Sequence, residues 1–260
     1  MFNIFSIKLR SHNKGFSLIE MSVVLVIIST ILGSMMVLTN KSQDRAKYDA
    51  TIIKIKAIDE SLQKYAIKAG VIPCPAPRSA AVNSASFAVA TDCNIAAVAG
   101  TTQAGQVRIG AVPTRTLGLP DDYAYDEWGM RITYAINVNL ATTMIAFTNY
   151  TKPVAGGIAM QDSAGNSVFD TNILLDKLFP AYVVVSHGVD KKGATNKAGT
   201  VTNPCSGASN DVLNCSDSGI FRDTSIKLIN KVATAYFDDI IIWRAYDFLD
   251  NNNDYTNDVN

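Results

Sequence analysis

Glu20 is a lone carboxylate at the head of a long apolar run. From Met21 to Leu38 no side chain is charged, and at ~1.5 Å per residue a helix through this run is roughly 27 Å long, close to the hydrocarbon thickness of a bilayer. An acid at such a place is penalised by about a few kcal/mol on insertion scales, less toward the interface, and ionisable groups there usually find a counter-charge. The plain alternative is a signal anchor with a tolerated acid at its edge. A cleaved secretory peptide fits poorly, because its apolar core is typically ~7–15 residues long and ends at a small-residue site, whereas Gly33-Ser34-Met35-Met36 offers no Ala-x-Ala-like sequence. The other residues able to do chemistry lie far downstream. They are the acids Asp190, Asp238 and Asp239, the cysteines Cys74, Cys93, Cys205 and Cys215, and His187 beside Ser186. No Gly-x-Ser-x-Gly elbow, paired metal-ligand histidines or phosphate-binding Gly-Lys motif accompanies them, so an enzymatic reading rests on His187 alone. A structural histidine at a strand end is the simpler reading.

Lys8, Arg10 and Lys14 precede the segment Gly15-Phe16-Ser17-Leu18-Ile19-Glu20 and its apolar continuation. This pattern resembles the class III signal of type IV pilins and type II secretion pseudopilins. The resemblance implies cleavage between Gly15 and Phe16 by prepilin peptidase, a membrane aspartyl protease, and N-methylation of the new Phe16 amine. It also gives Glu20 a use, since the carboxylate of one subunit can pair with the Phe16 amine of a neighbour when helices bundle. In a low-dielectric bundle such a pair fixes axial register more than it adds stability.

The implied fold class is α+β and pilin-like, with a long N-terminal helix packed on a small antiparallel sheet whose loops are stapled by disulfides. Its expected divisions are a leader over 1–15, a transmembrane and assembly helix over 16–39, an amphipathic stem over 40–70, a periplasmic globular domain over 71–250 and a flexible tail over 251–260. Expected partners are the prepilin peptidase, other pilin or pseudopilin subunits, an inner-membrane assembly platform, and lipid before assembly.

With 260 residues and 48% hydrophobic content, the chain has material for one globular domain after the span. Its formal net charge is zero; loss of the three leader cations leaves it acidic by about three before the new amine is counted. Nothing in that balance points to a general nucleic-acid-binding surface. Positive charge ahead of the span, with none behind it until Lys41, places the N-terminus in the cytoplasm and the bulk of the chain in the periplasm. An even set of four cysteines agrees with an exported domain. Three pairings are open to them, and the short separations favour Cys74–Cys93 and Cys205–Cys215.

Several elements must position these groups. Tyr48, Ile52, Ile55, Ile58, Leu62 and Tyr65 recur at helical spacing, while Lys54, Asp59, Glu60 and Lys64 fall mainly on other faces. One helix from Phe16 to Ala69 is therefore expected, stopped by Gly70 and Pro73. The stretch from Pro73 to Pro120 reads as an irregular connector with room for a short strand or a turn of helix. Asp126-Glu127-Trp128-Gly129 marks a turn before a half-buried strand through Ile132, Tyr134, Ile136 and Val138. It is similar to the Asp-x-Trp-Gly-x-x-x-x-Tyr stretch of pseudopilin sheets, with Trp128 as a core aromatic. Further strands are expected at Thr142 to Thr148, Tyr182 to Ser186 and Ile240 to Trp243, and a short helix at Asn172 to Leu178.

The long polar connection between the last two strands carries Gly188-Val189-Asp190-Lys191-Lys192-Gly193 at one end and Asp238-Asp239-Ile240 at the other. This layout resembles the calcium loop of major type II pseudopilins. Calcium takes about 6–8 hard oxygen ligands, and the resemblance implies carboxylates from Asp190, Asp238 and Asp239 with carbonyls from Gly188 and its neighbours. The chain departs from that pattern by a long insertion through Cys205 and Cys215, and by Lys191 and Lys192 beside the expected ion. The alternative is a solvated turn whose acids protect a strand edge. The reading as a whole is a structural subunit, pseudopilin or minor pilin, and not an enzyme. The competing binding-module reading, a DNA-uptake or adhesive pilin, needs Arg108, Arg115, Lys191 or Lys192 exposed.

Overall fold

The computed structural model describes Gly15 and residues 17–93, 100–142, 157–168, 180–224 and 236–245, without the side chains of 33–42, 103 and 142. The chain forms two compact units, Met1–Arg45 and Ala46–Asn260. Helix α1 spans Leu18–Ala69 and enters both. It ends where expected: Gly70 takes φ 69°, a left-handed conformation that favours glycine, and its N–H donates to Ala66 O at 2.9 Å.

The strands are β1 (Thr102–Ala104), β2 (Val107–Ala111), β3 (Thr133–Asn137), β4 (Ala159–Gln161), β5 (Pro180–Ser186), β6 (Ile220–Arg222) and β7 (Ile240–Ala245), with short helices α2 (Asn139–Thr142) and α3 (Val212–Cys215). The main sheet has the order β1-β2-β3-β5-β7, antiparallel throughout, and β4 and β6 form a separate parallel pair. The connector from Pro73 to Pro120 is thus less irregular than its composition indicates, since it contributes the β1–β2 hairpin. The expected strand at Thr142 to Thr148 begins on α2, and the rest of it, the helix at Asn172 to Leu178 and the tail over 251–260 lie outside the described residues.

Alternation along the strands explains how the sheet is covered. Tyr134 and Ile136 of β3, Tyr182 and Val184 of β5, and Ile240 and Ile242 of β7 share one apolar cluster with Ile55, Ile58, Leu62 and Ala66 of the stem. Their neighbours Ala135, Val183, Val185, Ile241 and Trp243 join Ile158, Met160, Phe221 and Phe237 on the opposite face. β3 is therefore buried on both faces, where one was expected to meet solvent. Full burial of each stem aliphatic contributes about 1.5–3 kcal/mol, which makes the stem stripe a principal clamp of the domain.

Asp59 was expected on a solvated face of the stem, yet it is 3% exposed. The guanidinium of Arg244 on β7 donates to its carboxylate at 2.7 and 3.1 Å, and the hydroxyl of Tyr182 on β5 donates at 2.6 Å. Gln63, one turn on, donates at 2.9 Å. A carboxylate held this way survives burial because its lone pairs are filled, and it sets the stem's register against two strands.

The turn before β3 has a physical reason for its sequence. Asp126 Oδ1 accepts the N–H of Trp128 at 3.0 Å and of Met130 at 2.8 Å, Gly129 supplies φ 78°, and Asp126 Oδ2 accepts the Ser186 hydroxyl at 2.7 Å. Trp128 is a core aromatic, as expected. Both disulfides pair as the separations favour, with Cα–Cα distances of 6.0 Å for Cys74–Cys93 and 5.6 Å for Cys205–Cys215.

Replacing Asp59 by Ala leaves Arg244 buried without its carboxylate and is expected to cost about 3–5 kcal/mol in chemical denaturation. The double replacement Asp59→Leu with Arg244→Met is expected to recover most of that loss. A single-variant loss below about 1 kcal/mol contradicts this assignment.

Candidate functional site

Two places carry the chemistry. At the head of α1, the Ser17 N–H donates to Glu20 Oε2 at 2.9 Å, and the Ser17 hydroxyl accepts the Ile19 N–H at 3.4 Å. This is one half of a capping box, in which the acid three residues into the helix satisfies the donor at its cap and complements the positive end of the dipole. Ser17 was overlooked in the sequence; the Ser-x-x-Glu spacing ahead of an apolar run is the signal that marks it. A Cβ placed on Gly15 meets nothing within 4 Å among the described residues. Phe16 lies outside the described residues.

Behind this cap the helix is apolar on every side. Leu18 is 92% exposed and Val26 63%, and Ile19, Val23, Leu25, Ile27, Ile31 and Leu32 are all more than half exposed. Ser22, Ser29 and Thr30 turn their hydroxyls back onto helix carbonyls at 2.7–2.8 Å, so even the polar side chains of this stretch present no unsatisfied donor. A helix apolar all round needs a cover of lipid or other helices. Among the described residues no helix is long and apolar enough to cross a membrane. The second half of the expected span, 33–39, lies among the residues whose side chains are not described.

The second place is the turn after β5. Asp190 and Asp238 come together as expected: the Asp190 N–H donates to Asp238 Oδ2 at 2.8 Å. A third acid, Asp211, joins them, and one ligand atom from each of the three lies within 4.8 Å of the others, close enough to hold a metal ion. Asp211 sits in the insertion between the arms, and no spacing in the sequence announced it. Asp239 does not join the group. It points away, accepting the Asn214 side-chain N–H at 2.6 Å. Gly188 has φ 55°, and a Cβ there collides with the backbone carbonyl and carboxyl of Asp238, so its role is to let the turn approach that residue.

The electrostatics of the turn are those of crowded acids. Burial, followed by the charge of Asp190, pushes the Asp238 carboxyl up to about 6. Burial, with Asp211 adding to it, also raises Asp190, and burial and the charge of Asp238 raise Asp239. Lys192 lies among these acids, its ammonium 3.0 Å from Asp211 and 3.3 Å from Asp190. Burial pulls that ammonium down, but the hydrogen bond to Asp211 and the charge of Asp190 outweigh it, and the net shift is upward. As a calcium set the residues therefore do not fit: one of the three expected carboxylates is engaged elsewhere, and an ammonium already bonds to two of the three acids present.

The remaining candidates are placed as follows. His187 is buried, with Nε2 2.9 Å from the Thr133 hydroxyl and Nδ1 without a partner among the described residues. Three of the four cations proposed for nucleic acid are committed elsewhere, Lys191 being the exception. Arg108 is fully buried, Arg115 forms a paired contact with Asp121 at 2.7 and 2.8 Å, and Lys192 is in the acidic turn.

An antiparallel sheet clamped by the stem of a long helix, two disulfides, and an acid-capped apolar helix head define an α+β, pilin-like chain with a prepilin-type signal. The model of the prokaryotic N-terminal methylation motif matches residues 10–36, a span that contains Gly15, Phe16 and Glu20. The chain carries an N-terminal methylation signal of the kind that marks type IV pilin and pseudopilin precursors. Comparison with curated proteins finds no match, and comparison with solved structures finds none.

Burial, with the charge of Arg78 adding to it, lowers the His187 pKa to about 4. Unfolding releases an imidazole of ordinary pKa ~6.5, so the unfolded chain binds the extra proton and the fold loses stability as pH falls from ~6.5 to about 4. Asp238 works in the opposite sense, since its raised pKa stabilises the fold in acid and that contribution fades as pH rises through about 6. The histidine contribution is isolated by difference. A His187→Gln variant, less stable than wild type at neutral pH, is expected to close the gap by roughly 3 kcal/mol in denaturant titrations near pH 4. A gap that does not change with pH contradicts a buried neutral His187.

Proposed function

We propose that the chain is a structural subunit, a pseudopilin or minor pilin, of a type II secretion or type IV pilus filament. In this reading prepilin peptidase cuts after Gly15, the Phe16 amine is methylated, and the mature subunit waits in the inner membrane with its globular domain in the periplasm. An assembly platform then moves it into the filament, where contacts with other subunits' helices replace lipid. The long insertion through Cys205 and Cys215 favours a minor or specialised subunit.

One observation carries this reading: a solitary acid caps a helix head whose described side chains are apolar and exposed on all sides. In the precursor Glu20 is satisfied by the Ser17 N–H. After cleavage Phe16, which precedes Ser17 in sequence, carries a full positive charge, and a charged donor is a stronger partner than a neutral N–H. A neighbour's ammonium serves equally well, so lateral packing keeps the acid paired while its surroundings become drier. The burial or pairing of Arg108, Arg115 and Lys192 weighs against a DNA-binding pilin, and the burial of His187 against an enzyme.

The test is Glu20→Ala in cells that assemble the filament. Membrane insertion and leader cleavage are expected to be unchanged, while recovery in sheared filaments and co-precipitation with other subunits fall at least tenfold, as a lost charge pair worth ~1.4 kcal/mol or more requires. Wild-type incorporation of Glu20→Ala contradicts the proposal.

A further inference from the structure

The turn that the sequence offers to a divalent cation holds a cation of its own. Lys192 is covered over most of its length, with 12% of its side chain exposed, and its ammonium meets a complete acceptor set: the Ser209 hydroxyl at 2.6 Å, the two Asp211 carboxylate oxygens at 3.0 and 3.1 Å, and Asp190 Oδ2 at 3.3 Å. An ammonium has three protons, and Ser209, Asp211 and Asp190 between them use all three.

The backbone is built to aim this side chain inward. Lys191 takes φ 59°, unusual for a residue with a side chain, and the Lys192 N–H donates to Asp190 Oδ1 at 2.8 Å. Gly193 follows at φ 69°, donating to Asn203 O at 2.7 Å, and a Cβ there would strike Cys215. The Cys205–Cys215 disulfide closes the segment that carries Ser209 and Asp211, so the acceptors are covalently held opposite the lysine. Asp238 completes the acidic group from the strand side. It is 2% exposed, and its Oδ2 accepts the Asp190 N–H.

A calcium ion bonded to Asp190 and Asp211 at ~2.3–2.6 Å must take the place of the ammonium, because both cations draw on the same oxygens. Like charges so close in a buried site repel strongly, and Lys192 is the one that is tethered. We propose that Lys192 is a built-in counter-ion that stands in for a divalent metal, so that the turn over 187–193 and the loop closed by Cys205–Cys215 keep their shape without calcium. The tether confers an advantage by mass action: a bound ion stabilises only in proportion to its free concentration, whereas a side chain is present at any calcium level.

The full-length chain in detergent, wild type and Lys192→Met, is to be melted in millimolar calcium and in excess chelator. Wild type is expected to show the same midpoint in both and no saturable calcium binding by titration calorimetry. Lys192→Met is expected to melt roughly 6–12 °C lower in chelator and to regain much of that loss in calcium, because removing the ammonium exposes an acidic set to the ion. Three results overturn the proposal: a calcium-dependent rise in the wild-type midpoint, a Lys192→Met midpoint in chelator equal to wild type, or a lowered Lys192→Met midpoint that calcium does not raise. If Lys192→Met does not fold, calorimetry on the wild-type chain alone decides, since saturable calcium binding contradicts the tether.

Discussion

A helix head whose described side chains are apolar and exposed on every side needs a cover of lipid or of other helices, and that demand is the first constraint on this molecule. From Leu18 to Leu32 every described side chain is exposed, and the only charge is Glu20 at the cap. Lipid satisfies such a surface, and so do the like surfaces of other subunits. The acid makes the two states differ, because it is tolerable at an interface and costly in a dry bundle unless it is paired. Within this chain it already has a partner in the Ser17 N–H, so the carboxylate at the helix head is not bare.

The stem applies the opposite rule. From Ala46 onward the helix carries a buried apolar stripe, and that stripe is spent on the sheet through Ile55, Ile58, Leu62 and Ala66, while Ile53 and Ile67 stay exposed. Apolar contact alone tolerates sliding, whereas Asp59 between Arg244 and Tyr182 does not, since a shift of one turn separates the carboxylate from both donors. The strands of β5 and β7 therefore fix where the stem lies, and the cover of β4, β6 and Phe237 on the other face allows the sheet to be apolar on both sides. The acidic turn follows β5 directly, and the disulfide-closed loop supplies its third acid and the hydroxyl that help hold Lys192.

Much of this was legible in the residues. The helix bounds, the β5 and β7 strands, the Asp126–Gly129 turn and both disulfides followed from periodicity, glycine placement and spacing. Other features depended on contacts distant in sequence. The β1–β2 hairpin was hidden because Arg108 interrupts a short run of small residues, and its burial is known only once the sheet surrounds it. Asp59 looked like one more charge on a solvated face until Arg244, far along the chain, was seen to meet it. Asp211 and the inward course of Lys192 depend on how the insertion folds back, and neither has a local signal. Asp239 shows the converse, because adjacency to Asp238 suggested a shared role, while neighbouring residues at a strand entrance point to opposite sides.

The most direct measurement is the mass of the chain's N-terminus when it is recovered from cells with and without prepilin peptidase. The account predicts that the peptidase yields a chain beginning at methylated Phe16 and that its absence leaves the leader through Gly15 attached. A chain that keeps its leader in the presence of active peptidase, or one cut elsewhere than after Gly15, contradicts it.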